Sequence, residues 1–221
     1  MSAPENPRSR RAPATDPPPR DQAPSTFTRI LERLVDATPA AVAAALVDFE
    51  GETVDYAGRM DTFELKIAAA HWQIALSEIE PAAPNVGALS KLVVRARGRG
   101  YYVRRLPESY AVVIVMHPRA AFAVSERAMD EAVRRLSAEA GWPAPRGARW
   151  FGVEVETVRR GGARRPTRLK LGGEWLPLEV MGSLVGLAPR EKGFRVRLPN
   201  GAEMMLVRER LGGWFADEHL E

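Results

Sequence analysis

The stretch Asp61–Glu80, DTFELKIAAAHWQIALSEIE, decides how the chain around it is read. Projected as an α-helix, it places Phe63, Ile67, Ala70 and Ile74 in one narrow arc. Leu65, Ala68, Ala69, Trp72, Leu76 and Ile79 fall in a wider arc facing the other way. Polar seams separate the two arcs, with Glu64, His71 and Glu78 along one and Lys66, Gln73 and Glu80 along the other. A surface helix of a globular domain normally carries a single apolar stripe, so a second stripe needs a second partner. One arc covers a sheet of the same chain, which leaves the other for a sister subunit or a client protein. A helix buried inside one large domain would show the same two arcs, and the arcs alone do not separate these readings.

Before this helix, Ser25-Thr26 is a fair N-cap for a helix in which Phe27, Ile30, Leu31 and Leu34 recur at helical spacing as far as Asp36. Pro39 ends it. Val42–Asp48 is apolar throughout, as a strand covered on both faces would be. Glu50-Gly51 then turns the chain into a second strand over Thr53–Ala57. After the two-faced helix, Pro81 and Pro84 close it and a loop runs through Gly87. Strands are predicted over Leu89–Arg97, Tyr101–Leu106 and Ser109–Met116, the first two flanking Gly98-Arg99-Gly100. Phe122, Met129, Val133 and Leu136 mark a last helix that stops at Gly141. The predicted fold class is α+β, with the order αββαβββα forming one five-stranded antiparallel sheet with helices on both faces.

From Arg149 the pattern changes to strands alone. Val153 and Val155 alternate with Glu154 and Glu156 over Phe151–Val158. Arg159 to Lys170 reads as a basic loop, with further strands over Thr167–Leu171, Glu174–Val180, Phe194–Leu198 and Ala202–Arg208. Asn200-Gly201 is a strong hairpin signal, and Trp214-Phe215 makes a last short strand. Five or so short strands in this length suggest a small all-β barrel. The predicted organisation is a disordered tail over 1–25, an α+β domain over 26–141, a linker over 142–148 and the barrel over 149–221. The tail carries seven prolines and four arginines and almost nothing large and apolar, too little to offset the entropy of ordering.

The order of elements from Phe27 to Gly141 resembles the Roadblock/LC7 family, whose fold is profilin-like. The likeness is carried by Ala44-Ala45-Leu46-Val47-Asp48-Phe49-Glu50-Gly51, the alanine-rich helix Leu65 to Leu76, the tight turn Gly98–Gly100, and Tyr110–Val115 leading into a long helix. Departures are Pro39-Ala40, where the family commonly has glycine, and the arginines Arg95, Arg97, Arg99, Arg104 and Arg105. The resemblance implies a homodimer joined edge to edge through Leu89–Arg97 with the two-faced helices side by side. It also implies binding to a small Ras-like GTPase, as an adaptor or as an activator that orders the GTPase's own catalytic residues without an arginine finger. The dimer or GTPase interface then comprises Phe63, Ile67, Ile74, Leu65, Trp72, Leu76, Leu92 and Val94. The C-terminal part is weakly similar to a small uncharacterised all-β domain of bacterial proteins, through Arg165-Pro166, Gly172-Gly173, Phe194-Arg195-Val196, Gly201 and Gly213-Trp214.

Composition narrows the chemistry. The chain has 221 residues, 45% apolar and 27% charged, with a net charge of +4 and no cysteine. Without cysteine there is no disulfide framework, thiolate nucleophile or cysteine zinc site. No apolar run approaches the ~20 residues that span a bilayer, and the N-terminus lacks the apolar core of a signal peptide. A cytoplasmic protein with no membrane contact is the expectation. His71, His117 and His219 are far apart and lack metal-ligand spacing. There is no phosphate-cradling glycine loop, no nucleophile elbow, and nothing that argues for an enzyme or a cofactor. The cations Arg159, Arg160, Arg164, Arg165, Arg168 and Lys170 form a candidate anion or nucleic-acid contact, with Trp175, Phe194 and Trp214 available for stacking. A small barrel needs those aromatics in its core, so a solvated loop is the preferred reading and a nucleic-acid partner is not expected.

Overall fold

The computed structural model describes residues 20–82, 85, 89–118, 124–143 and 150–217, and the side chains of Glu80 and Arg160 lie outside the described set. The elements of the first half are α1 (Thr26–Ala37), β1 (Ala41–Val47), β2 (Thr53–Gly58), α2 (Thr62–Ala82), β3 (Lys91–Arg95), β4 (Gly100–Arg105), β5 (Ala111–Met116) and α3 (Glu126–Ala140). The strands form one antiparallel sheet in the order β2-β1-β5-β4-β3. The apolar runs of β1 and β5 lie side by side at its centre, with Ala44 opposite Ile114 and Ala45 opposite Val113.

Period-two alternation divides these strands between two cores. Ala44, Leu46, Val112, Ile114 and Met116 pack with Leu31 and Leu34 of α1 and Met129 and Leu136 of α3. Ala43, Ala45, Val47, Val113 and Val115 pack on the opposite face with Leu65, Ala69 and Leu76 of α2. Both faces are therefore covered, which is why neither strand alternates with polar residues. At Gly58, φ is +120° and an added Cβ would stand 2.4 Å from the Ala43 backbone, so only glycine fits where β2 meets β1.

Several predicted boundaries are corrected. Pro81 sits inside the last turn of α2 rather than closing it, while Pro84 and Phe122 fall outside the described residues. β3 is shorter than predicted, and Pro107–Ser109 forms a 3-10 turn before β5, with Glu108 and Ser109 both at positive φ. The disordered tail is predicted to reach residue 25, but the segment from Arg20 is docked. Its charged and amide side chains find partners on β2 that compensate for ordering a polar stretch. Trp142, predicted to lie in a linker, packs its ring 4.5 Å from Tyr110, and its amide donates to the Ser137 carbonyl at 2.8 Å.

The second half consists of β6 (Trp150–Arg160), β7 (Ala163–Leu171), β8 (Glu174–Pro177), β9 (Glu179–Ser183), β10 (Lys192–Arg197), β11 (Glu203–Arg208) and β12 (Trp214–Asp217). Seven strands form a curled antiparallel sheet in the order β8-β7-β6-β12-β11-β10-β9. The strand predicted over Glu174–Val180 is split at Leu178, whose amide donates to the Thr167 carbonyl at 3.0 Å. Leu169, Phe194, Val196, Leu206 and Ala216 line its core, with Trp214 packed beside them. The basic loop predicted over Arg159 to Lys170 is instead the β6–β7 hairpin, turning at Gly161-Gly162 with both glycines at positive φ. Strand pairing through the arginines satisfies their backbone groups regardless of their weak strand preference.

α3 joins the two halves. Arg127 donates to Glu191 at 2.8 Å and to Glu209 at 2.9 Å, and lies 4.9 Å from the centre of the Trp150 ring. Glu131 accepts from the Gly152 amide at 2.9 Å, and Arg134 donates to the Trp150 carbonyl at 3.1 Å.

Candidate functional site

The wider arc of α2 faces the sheet. Leu65 and Leu76 are fully buried there, which removes them from the expected interface. Trp72 is half-buried, its ring 5.0 Å from that of Tyr101. The narrow arc faces outward, with Phe63 71%, Ile67 41% and Ile74 46% exposed. The middle of this arc abuts the β1–β2 turn, where a Cβ at Gly51 would stand 3.4 Å from the Ala70 backbone. Asp48 fixes that turn by accepting from the Glu50 and Glu52 amides at 3.0 and 2.8 Å. The same turn carries Phe49, 61% exposed. Four large apolar side chains are thus exposed on one helix face and the turn beside it.

Among the described seam residues, Gln73 differs from expectation. Gln73 is buried, and its amide donates to the Ser109 carbonyl at 2.7 Å, tying α2 to the 3-10 turn. Glu64 pairs with Arg99 at 2.7 Å and Lys66 with Asp21 at 2.6 Å.

The two edges of the five-stranded sheet are treated unequally. At the β2 edge, the Tyr56 carbonyl accepts from Arg20 and the Val54 carbonyl from Gln22 at 3.2 Å. Behind them lies Asp55, almost fully buried, which accepts from Arg20 at 2.6 Å, Gln22 at 2.9 Å, Ser25 at 2.5 Å and Thr28 at 2.6 Å. Burial pushes its pKa up, but the hydrogen bonds from Ser25, Thr28, the Tyr56 amide and Arg20 outweigh it and hold the carboxyl below its ordinary value. The β3 edge has no strand partner among the described residues. Along it Leu92 packs toward the α2 core, and Val94 stands opposite Tyr101. An open edge with a solvent-facing apolar helix on the same side of the sheet is a surface suited to another protein chain.

The basic residues of the second half are divided by the hairpin. Arg168 pairs with Glu156 at 3.5 Å and Lys170 with Glu154 at 2.8 Å, and both lie about 6 Å from the Trp175 ring (5.9 and 5.8 Å). Arg159, Arg164 and Arg165 are exposed at the far end. Phe194 and Trp214 belong to the core, with ring centres 6.1 Å apart, and are not offered for stacking. Among the described residues, no His, Asp and Glu side chains group as they would to hold a metal ion, and no helix is long and apolar enough to cross a membrane.

No family model and no curated protein matches the chain. Solved structures do match. They include MglB and Roadblock/LC7 domain structures. Myxococcus xanthus MglB matches at 14% identity and a TM-score of 0.46, over 52% of this chain and 94% of that one. A Roadblock/LC7 domain from Streptomyces avermitilis matches at 17% identity and a TM-score of 0.45, over 52% and 97%. The gliding protein MglB from Thermus thermophilus matches at 19% identity and a TM-score of 0.46, over 52% and 88%. Each of these matches covers about half of this chain.

The two arcs of α2 were legible in the sequence, but which of them faces outward was not, nor were the Asp55 cluster and the Gln73 tether. The Ser25-x-x-Thr28 spacing is a capping box, with the Ser25 hydroxyl accepting from the Thr28 amide and the Thr28 hydroxyl from the Ser25 amide. It was the available signal of a polar cluster at this point. Nothing in the sequence points Arg20 or Gln22 at the β2 edge.

Proposed function

We propose that this chain is a self-associating regulator or adaptor of a small Ras-like GTPase, acting by protein–protein contact in the cytoplasm. The observation that carries the reading is the outward arc of α2, where Phe63, Ile67 and Ile74 remain exposed while the opposite face of the same helix is buried. Contiguous exposed apolar surface of this kind marks an interaction site more often than a free surface. The covered β2 edge and the open β3 edge support self-association through β3, two sheets joining side by side with their α2 helices adjacent. The interface comprises Phe63, Ile67 and Ile74, with Trp72, Leu92 and Val94 at its margin. The GTPase part rests on the resemblance of the element order and of Ala44–Gly51 and Leu65–Leu76 to the Roadblock/LC7 family. In this reading the chain stimulates hydrolysis by ordering the partner's own groups and supplies no catalytic residue. We read the curled sheet as a small barrel whose two edge strands, β8 and β9, follow one another in the chain around Leu178.

Capture of partners from native lysate by the full chain, in the presence of a non-hydrolysable GTP analogue or GDP, tests the reading. A Ras-like GTPase enriched with the GTP analogue and lost with the double variant Phe63→Glu/Ile67→Glu is the expected result. Enrichment of no GTPase in either nucleotide state would contradict it.

A further inference from the structure

We propose that the far end of the β6–β7 hairpin is a binding arm for double-stranded DNA, with Arg159, Arg164 and Arg165 contacting phosphates across a groove. Pairing with β12 involves only Trp150–Val153 of β6, and pairing with β8 only Arg168–Leu171 of β7. The residues 157–160 and 163–166 pair as strands only with one another; Pro166 is buried at the base of this segment, and beyond it 158–160 and 163–165 stand out as a two-stranded ribbon of roughly 10 Å. A protruding two-stranded ribbon fits the major groove of B-form DNA, which is ~12 Å wide.

The charges on this ribbon are arranged for an anion. Arg159 stands directly opposite Arg164 across the two strands, and Arg165 opposite Val158. Like charges directly opposite one another on a strand pair are destabilising. Lower on the same hairpin, Glu156 and Glu154 pair with Arg168 and Lys170. Among the described residues no acid pairs with Arg159, Arg164 or Arg165. The repulsion is relieved when an anion lies between the guanidinium groups, and arginine's planar fork matches phosphate oxygens in pairs. The turn itself is Gly161-Gly162, and Val158 is the large apolar side chain exposed on the ribbon, too little apolar surface to anchor it in a membrane. The deep, narrow major groove of A-form RNA excludes such a ribbon. This arm lies in the half of the chain distinct from the α2 surface and does not rest on the GTPase reading.

Fluorescence anisotropy of the full chain with a labelled mixed-sequence DNA duplex of about 20 base pairs tests the proposal. Three phosphate contacts give a slope near −2.7 in log affinity against log salt, a loss of about 40-fold between roughly 50 and 200 mM salt. The triple variant Arg159→Gln/Arg164→Gln/Arg165→Gln is expected to weaken duplex binding at low salt and to flatten this dependence by that slope, with an unchanged melting temperature. A control of equal charge change, Arg29→Gln/Arg33→Gln/Arg190→Gln, is expected to bind as the parent does. Absence of duplex binding at about 50 mM salt would overturn the proposal, as would equal losses in the two triple variants. Tighter binding to one strand of the duplex alone, or to vesicles containing anionic lipid, would also overturn it.

Discussion

Asp55 ties β2 to residues 20–28, which lie 27 to 35 positions away in the sequence. Its oxygens accept from Arg20 and Gln22 before α1, from Ser25 and Thr28 at the start of α1, and from the Tyr56 amide on β2. Asp55→Ala leaves these donors, of which Thr28 and the Tyr56 amide are buried, without an acceptor and is expected to cost about 2–3 kcal/mol in chemical denaturation. The sign of the pH effect follows from the direction of the shift. The folded state favours the ionised carboxyl, so its stabilisation is fully present above the ordinary aspartate pKa near 3.8 and is lost as pH falls through the lower folded value. Melting curves should therefore decline on acidification below that ordinary value, and Asp55→Asn should melt lower at neutral pH but with a shallower acid decline. A variant as steep as the parent would show that other carboxylates set the acid limb. In the sequence, Asp55 is only a polar residue in a short strand. Its role depends on where residues 20–28 pass, which no local pattern records. Gly58 is similar: no local pattern in the sequence records the approach of the Ala43 backbone that forbids a Cβ there.

At the scale of the element, α2 separates stability from recognition. Leu76 lies on the sheet and Ile67 on the outward arc, nine residues apart on opposite faces of one helix. Leu76→Ala is expected to cost about 3 kcal/mol through lost burial and the cavity left behind. Measured where the parent too is monomeric, Ile67→Glu is expected to change stability only within the range of a surface substitution, about 0.5 kcal/mol, and at higher concentration to abolish self-association. Thermal melts paired with sedimentation separate the two effects. A large destabilisation by Ile67→Glu would mean that the outward arc is packed within the chain. Both arcs could be read from the spacing of apolar residues, because helical periodicity is a local property. Their assignment was not legible, since each arc has enough apolar surface to cover a sheet. The wider one does so, with Leu65, Ala69 and Leu76 packed on the strands. Gln73 projected onto a polar seam, and only the tertiary path of the chain brings the Ser109 carbonyl within its reach.

Across the whole molecule, the two halves are joined by a small set of charged contacts centred on Arg127. Burial disfavours its charge, but hydrogen bonds from Arg127 to Glu191 and Glu209 outweigh that cost and raise its pKa. Arg127→Ala leaves two largely buried carboxylates without their cation, and is expected to destabilise the chain by about 3 kcal/mol. Adding Glu191→Gln and Glu209→Gln should recover part of the loss, and a mutant cycle in denaturant measures how much. Strictly additive losses would show that the three residues are not coupled. The order of elements in the first half was legible because each strand and helix carries its own apolar period and its own stop signal. The β6–β7 ribbon was not, because Arg159, Arg164 and Arg165 suppress the alternation that marks a strand, and the Gly161-Gly162 turn reads equally well as part of a loop.

The most direct test of the outward α2 arc as an interface is sedimentation of the full chain and of Ile67→Glu under the same conditions. The parent is expected at twice the 24.4 kDa chain mass and the variant at the single-chain mass, with thermal melts that match at concentrations too low for the parent to self-associate. A parent that stays at 24.4 kDa at concentrations of order 100 μM, where weak micromolar dimers would assemble, would contradict the assignment of this face.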